Sequence, residues 1–270
     1  MDVVARRSTR HGAAARTAPV PNDVGDLTLT DVAKNATDGK TPTAEAGLGR
    51  GSLGLPAQLY AKLSLTKRQF AICLPSTAAE PGVAFFGSGP YGLMPPTQFD
   101  AGAALSYTDL VRDPRRPTAY GIRLRGIAVN QEAVPLPAGA LGRGGGVTLD
   151  TALPYTVNLR RDVYRPLVDA FRRATALVLR APSVPPFELC FDSGALGFTR
   201  VGYAVAPVAP DLACLAFVDG GWAAPSAVAV GGFQMENNFL LFDEAASRLG
   251  FSGTLLFIRT TCGNFNFSRT

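Results

Sequence analysis

Residues 145–171 read GGVTLDTALPYTVNLRRDVYRPLVDAF, and the reading of this stretch decides the fold. It opens with an apolar strand over 146–150 that runs straight into Asp150 and Thr151, so a carboxylate and a hydroxyl are presented together where the strand turns. A short link follows, and then the clearest helical pattern of the chain. Val163, Leu167, Val168, Phe171 and Ala174 recur at helical spacing on one face, and arginines occupy the other as a solvated face.

Working outward, short apolar runs separated by Gly and Pro mark strands at 69–75, 82–86, 120–129, 187–191, 200–206, 212–218, 227–231, 239–243 and 248–251. In YGIRLRGIAV the apolar Ile122, Leu124 and Ile127 alternate with Arg123 and Arg125, and Gly126 shifts the alternation as a bulge would. A short amphipathic helix begins near Leu55. No internal repeat of 20–50 residues occurs, which excludes solenoids and propellers. With 29 Gly and 21 Pro among 270 residues, the chain is expected to be mainly β. Residues 1–46 show no sustained period and read as a loose lead-in.

Composition narrows the chemistry. At 47% hydrophobic and 17% charged residues the chain can bury a substantial core. Its net charge of +5 does not point to nucleic acid. Four of the basic residues, Arg6, Arg7, Arg10 and Arg16, lie in the lead-in, and no aromatic-basic interleaving appears. The single histidine, His11, also lies there, which removes Ser-His-Asp and Cys-His catalysis and most zinc sites. No metal or cofactor is expected. Cys73, Cys190, Cys214 and Cys262 are widely spaced; their even number fits two disulfides and an oxidising compartment, with three pairings open. There is no apolar run long enough to span a membrane. The first twenty residues lack the apolar core of a signal peptide, so the leader that secretion requires is expected outside this chain.

A second acidic turn, FELCFDSGALG at 187–197, carries an intact Asp192-Ser193-Gly194 triplet. Peptide hydrolysis by two carboxylates needs one acidic turn from each of two lobes, because a proton-sharing pair polarises a water held between them. Asp150 and Asp192 are only 42 residues apart with a whole helix between them, and do not suit such a pair. Around Asp150 the hydroxyl residue is present, but Ala152 stands where close backbone approach calls for Gly.

Several segments in one order carry a resemblance: GLGRGSLGLPAQL (47–59), FAICLPS (70–76), YGIRLRGIAVN (120–130), the opening stretch, FELCFDS (187–193), ACLAFVD (213–219) and VGGFQMENNFLLFDEAASRLGFS (230–252). Together they resemble the plant pepsin-like aspartic protease family, in the branch of xylanase inhibitors and basic 7S globulins. The resemblance implies a mainly β, pepsin-like fold with a complete C-terminal lobe over 116–270, a remnant of the first lobe over 47–115 and a divergent lead-in over 1–46. It places Asp150 and Thr151 on the second catalytic motif, near the inter-lobe cleft, as a vestige whose Gly is replaced by Ala152. Asp192 falls where the family has no catalytic group. The first-lobe Asp-Thr-Gly and the flap tyrosine should precede residue 47; the nearest strings there, at Asp23 and Asp26, lack the hydroxyl-Gly order. The resemblance also implies disulfides Cys190–Cys214 and Cys73–Cys262.

In inhibitors of this branch, a tail before the last cysteine enters a fungal xylanase cleft. Here that tail is LLFIRTTC, with Ile258 and Arg259 in place of the customary histidine, and an arginine suits the paired carboxylates of a glycosidase. The function so implied is a non-catalytic, extracellular or cell-wall inhibitor whose partner is a microbial glycoside hydrolase. An aspartic endopeptidase and a storage or binding globulin are the alternatives. Sequons at Asn35 and Asn266 permit glycosylation in a secreted chain.

Overall fold

A computed structural model of the chain describes residues 2–6, 47–77, 79–142, 146–196 and 204–267. Most of the lead-in, including His11, Asp23, Asp26 and Asn35, therefore lies outside the described residues, as does Ser268 of the second sequon. Along the chain, β1 (Asp2–Arg6) precedes α1 (Leu55–Lys62), β2 (Gln69–Cys73) and β3 (Pro81–Phe86). Next come β4 (Ser106–Asp113), β5 (Arg116–Ile122), β6 (Ala128–Val129), β7 (Glu132–Ala133), β8 (Val147–Leu149) and β9 (Thr156–Leu159). The helix α2 (Arg161–Ala174) leads to β10 (Arg180–Ala181), β11 (Cys190–Asp192), β12 (Val205–Ala209), β13 (Leu212–Leu215) and β14 (Phe217–Asp219). Finally β15 (Val228–Val230), α3 (Gly232–Met235), β16 (Asn238–Asp243) and β17 (Arg248–Thr254) complete the chain.

Two compact units result: Met1–Leu105 with Asn237–Ala245 and Phe251–Thr270, and Ser106–Glu236 with Ala246–Gly250. In the first, β1, β3, β2 and β16 pair antiparallel in that order. The runs QFAIC and NFLLFD are buried on both faces, so they read as continuous apolar segments without alternation. Phe70 stacks on Phe242 at 4.6 Å across the β2–β16 pair. On the other face Phe85, Tyr91, Phe239 and Phe265 meet at ring separations of 5.0–5.4 Å. Aromatic contacts of this kind contribute about 0.5–1.5 kcal/mol each beyond their buried area.

In the second unit β4, β5, β8, β15, β9 and β14 follow one another, and a separate sheet runs β10, β11, β13, β12. The helix α2 buries Val163, Tyr164, Leu167, Val168 and Phe171 in the core with Leu159, Phe191 and Leu215. It forms despite Pro166 because Asp162 in its first turn and Arg172 and Arg173 in its last complement the helix dipole. Arg160 pins its start: the guanidinium makes a two-pronged contact with Asp162 at 2.7 and 2.9 Å and donates to the Ala140 carbonyl at 2.6 Å. The arginine face of α2 is more than a solvated surface. Arg165 and Arg172 share Glu188 at 2.9 Å, and Arg161 holds Asp219 at 2.8 Å.

Several strand expectations shift. The run expected at 212–218 breaks at Ala216 into β13 and β14, which belong to different sheets. Of the run expected at 200–206, residues 200–203 lie outside the described residues, and β12 starts at Val205. The strand expected over 120–129 ends at Ile122, because its partner β8 begins at Val147, opposite Ile122, and offers nothing to pair with beyond it. Residues 128–133 instead make a small hairpin, β6–β7, whose Asn130 and Gln131 both adopt positive φ as a tight two-residue turn requires. The strand expected at 187–191 starts at Cys190, since Phe187 N–H closes a turn on the Val184 carbonyl.

Candidate functional site

The segment singled out by sequence forms a strand-turn of unusual topology. Consecutive strands β8 and β9 do not pair with each other; β15 inserts between them, parallel to β8 (Val230 opposite Leu149) and antiparallel to β9 (Ala229 opposite Val157). The connection 150–155 therefore arches over the end of β15. Asp150 N–H donates to the Val230 carbonyl at 3.0 Å, which seats the acidic residue directly on the inserted strand.

The arch is locked from beneath by a small buried network. Thr156 is 1% exposed. Its Oγ1 donates to Gln234 Oε1 at 2.8 Å and accepts the Gly231 N–H at 3.2 Å, while its own N–H donates to the same Gln234 oxygen at 2.8 Å. Gln234 Nε2 donates in turn to the Ala216 carbonyl. Gly232 and Phe233 N–H groups donate to the Leu153 and Pro154 carbonyls at 2.7 and 3.0 Å. Position 231 must be Gly, since any Cβ there would overlap the Tyr155 carbonyl. Sequence reading missed Thr156, Gly231 and Gln234; the Gly-Gly pair after an apolar strand is the local signal that marks the close approach.

On this arch the Asp150 side chain faces solvent, and one carboxylate oxygen accepts the Ala152 N–H at 3.0 Å. The carboxylate thus caps its own turn. Thr151 and Ala152 are exposed beside it. Ala152 keeps a negative φ, so the residue that stands in place of Gly is accommodated without backbone strain. Among the described residues, no group of three or more His, Cys, Asp or Glu side chains is placed to hold a metal.

Asp192 sits in the other sheet. Its Oδ1 accepts the Gly194 and Ala195 N–H groups at 2.8 and 3.1 Å, while Ser193 Oγ donates to the Pro210 carbonyl. The intact triplet is thus a turn that closes on its own carboxylate. Two residues before it, Cys190 is bonded to Cys214, directly opposite on β13, with Cα atoms 4.0 Å apart.

In the first unit Cys73 is bonded to Cys262, anchoring the tail to β2. Asn237, fully buried and left-handed, reinforces the anchor: its Nδ2 donates to Ser76 and its Oδ1 accepts the Cys262 N–H. Just upstream, Leu255–Ile258 form a single 3-10 turn started by the Thr254 hydroxyl and ended by Arg259 in a left-handed conformation. The turn buries Leu255 and displays Phe257 at 87% and Ile258 at 46% exposure. Arg259 lines a shallow pocket of about 300 Å³ with Glu80, Pro81, Thr260, Thr261 and Asn264. Asn266 is exposed and held by its backbone N–H on the Gly92 carbonyl.

Comparison with known proteins fits this arrangement. The family model described as "Xylanase inhibitor C-terminal" matches residues 119–212 and 205–253. A rice protein named chitinase CLP is 42% identical over 90% of this chain and 69% of its own length. A probable aspartic proteinase, GIP2 of Nicotiana benthamiana, is 37% identical over 83% of this chain and 58% of its own. Gamma conglutin 1 of almond, Prunus dulcis, is 33% identical over 82% and 55%. Among solved structures, edgp superimposes with a TM-score of 0.75 at 33% identity, covering 83% of this chain and 63% of that one. Conglutin gamma from lupine seeds gives 0.72 at 27% identity, with 87% and 63% covered. Apart from the rice protein, the chain thus spans less than two thirds of the length of these relatives.

Proposed function

Because this chain belongs to the xylanase-inhibitor and basic 7S globulin branch of the plant pepsin-like proteins, we propose that it is a non-catalytic, extracellular binding protein that inhibits microbial cell-wall glycoside hydrolases. The observation that carries this reading is the Asp150 turn. The insertion of β15 seats Asp150 and Thr151 at the end of a strand, as the resemblance implies for a catalytic motif, yet Ala152 stands where that motif calls for Gly. A single carboxylate cannot polarise water as a pair does. Asp150 and Thr151 are accordingly vestigial.

Binding falls to the tail. Phe257 and Ile258 present apolar surface on a turn fixed by a disulfide, and Arg259 beside them suits the two carboxylates of a glycosidase cleft. An anchored turn loses little conformational freedom on docking, which favours affinity. Two disulfides agree with an oxidising compartment, and no helix among the described residues is long and apolar enough to cross a membrane.

The names of two relatives, each a probable aspartic proteinase, favour an endopeptidase as the second reading. One experiment separates them. The purified protein is titrated into fungal xylanase, glucanase and chitinase assays and, in parallel, incubated with haemoglobin at acid pH with and without pepstatin. Inhibition of a glycosidase that is lost in Ile258→Asp/Arg259→Glu and kept in Asp150→Ala supports the proposal. Pepstatin-sensitive proteolysis abolished by Asp150→Ala overturns it.

A further inference from the structure

A cavity of about 760 Å³ in the second unit has no part in the Asp150 turn or the tail. It is lined by β4, β5, the segment just after β5 and the start of β8, and its volume lies in the range of a site for a small organic ligand or oligosaccharide. Four arginines line it, Arg112, Arg115, Arg123 and Arg125, against two aspartates, Asp109 and Asp113. One of those acids is already committed. The Arg115 backbone N–H, with the Arg115 and Arg116 side chains, holds the Asp113 carboxyl below its ordinary value, and it stays paired at 3.5 Å with both. Arg112, Arg123 and Arg125 are exposed and have no ion-pair partner among the described residues.

The lining also holds the apolar residues Val111, Ile122, Leu124, Leu141 and Val147, of which Leu124 is exposed. The cavity thus combines cationic and apolar lining. Along the paired strands the backbone is committed. β5 is hydrogen-bonded to β4 on one side and β8 on the other, β8 is bonded also to β15, and the Leu110 N–H donates to the Ser247 carbonyl. Along those strands an extended peptide would find no free edge to pair with. Recognition must come from side chains: forked guanidinium groups, which match carboxylates in pairs, beside a surface suited to C–H faces.

We propose that this cavity is a binding site for an acidic oligosaccharide, a short chain of uronic acid units. Each ring brings one carboxylate for the arginines and one apolar face for the exposed Leu124. The site is independent of the inhibitor reading and survives its failure.

Isothermal titration of the whole protein with trigalacturonate tests the proposal. Binding is expected to weaken at least tenfold in Arg123→Ser/Arg125→Ser, and to weaken steeply between low and high salt. Xylotriose, a neutral oligomer, and the methyl ester of trigalacturonate are expected not to bind. Arg123→Lys/Arg125→Lys, which keeps the charge and loses the fork, should fall between the wild type and the serine variant. Equal binding of the neutral sugar, an unchanged affinity in the serine variant with its thermal transition preserved, or tighter binding of hexa-aspartate than of trigalacturonate would each overturn it.

Discussion

Replacing Thr156 by Val tests the physical account of the Asp150 turn at its support. The substitution keeps the branched shape and removes only the hydroxyl, which serves as donor to Gln234 and acceptor for Gly231. A hydrogen bond of the first kind contributes a net ~0.5–1.5 kcal/mol, and a buried N–H left without an acceptor costs ~1–3 kcal/mol. Position 156 is buried and Gly231 cannot move away, because it is wedged against the Tyr155 carbonyl, so water cannot readily take the place of the hydroxyl. We expect a loss of about 2–3 kcal/mol, equivalent to a fall of roughly 4–12 °C in Tm for a chain of this size. Urea titration followed by far-ultraviolet circular dichroism measures it, with the slope m compared alongside the midpoint. Thr156→Ser, which keeps the hydroxyl and loses a methyl, should cost about 1 kcal/mol or less, near the value of one buried CH₂. If Val is tolerated within about 0.5 kcal/mol while Ser is not, the methyl and not the hydroxyl holds the arch, and the reasoning fails.

Three further outcomes follow from the same geometry. The Cys190–Cys214 disulfide closes a separation of 24 residues and Cys73–Cys262 one of 189, so paired Cys→Ala variants should lose about 3 and about 5 kcal/mol in denaturant unfolding. Asp192→Ala should cost about 1 kcal/mol through the loss of a turn acceptor, with glycosidase inhibition unchanged; a lost inhibition would show that the triplet does more than close a turn. Asp113 has a lowered folded value, so its contribution to stability is present above its unfolded value and is lost as pH falls through the folded one. The Asp113 carboxyl resonance should therefore titrate below that of an unfolded aspartate, and stability measured from pH 5 downward should decline less in Asp113→Asn than in the wild type.

The helix α2 was fully legible because its apolar face repeats at 3.6 residues over four turns and nothing else fits that period. The continuous apolar runs of β2 and β16 were legible for the same kind of reason. β4 was not, because SYTDLVRD buries only Leu110 and carries polar and charged side chains at most other positions, a pattern without a hydrophobic signature. β5 was misjudged at its end because alternation continues past Ile122, while its partner strand begins there and pairs no further. The residue types at 150–152 and the cysteines were visible as letters. The pairing of the cysteines was legible only through resemblance.

The sequence by itself determined that the chain is mainly β and that the stretch around Asp150 is a strand ending in an acidic turn. Those properties depend on neighbours along the chain, on composition and on periodicity. Only the tertiary structure decided that β15 enters between β8 and β9, that Thr156 and Gln234 lock the arch, and that the arginines of the β4–β5 region line a cavity. Those arrangements join residues far apart in the chain, such as Val147 with Val228 and Thr156 with Gln234, and the physical reason they escape a linear reading is that hydrogen bonds and charges act through space.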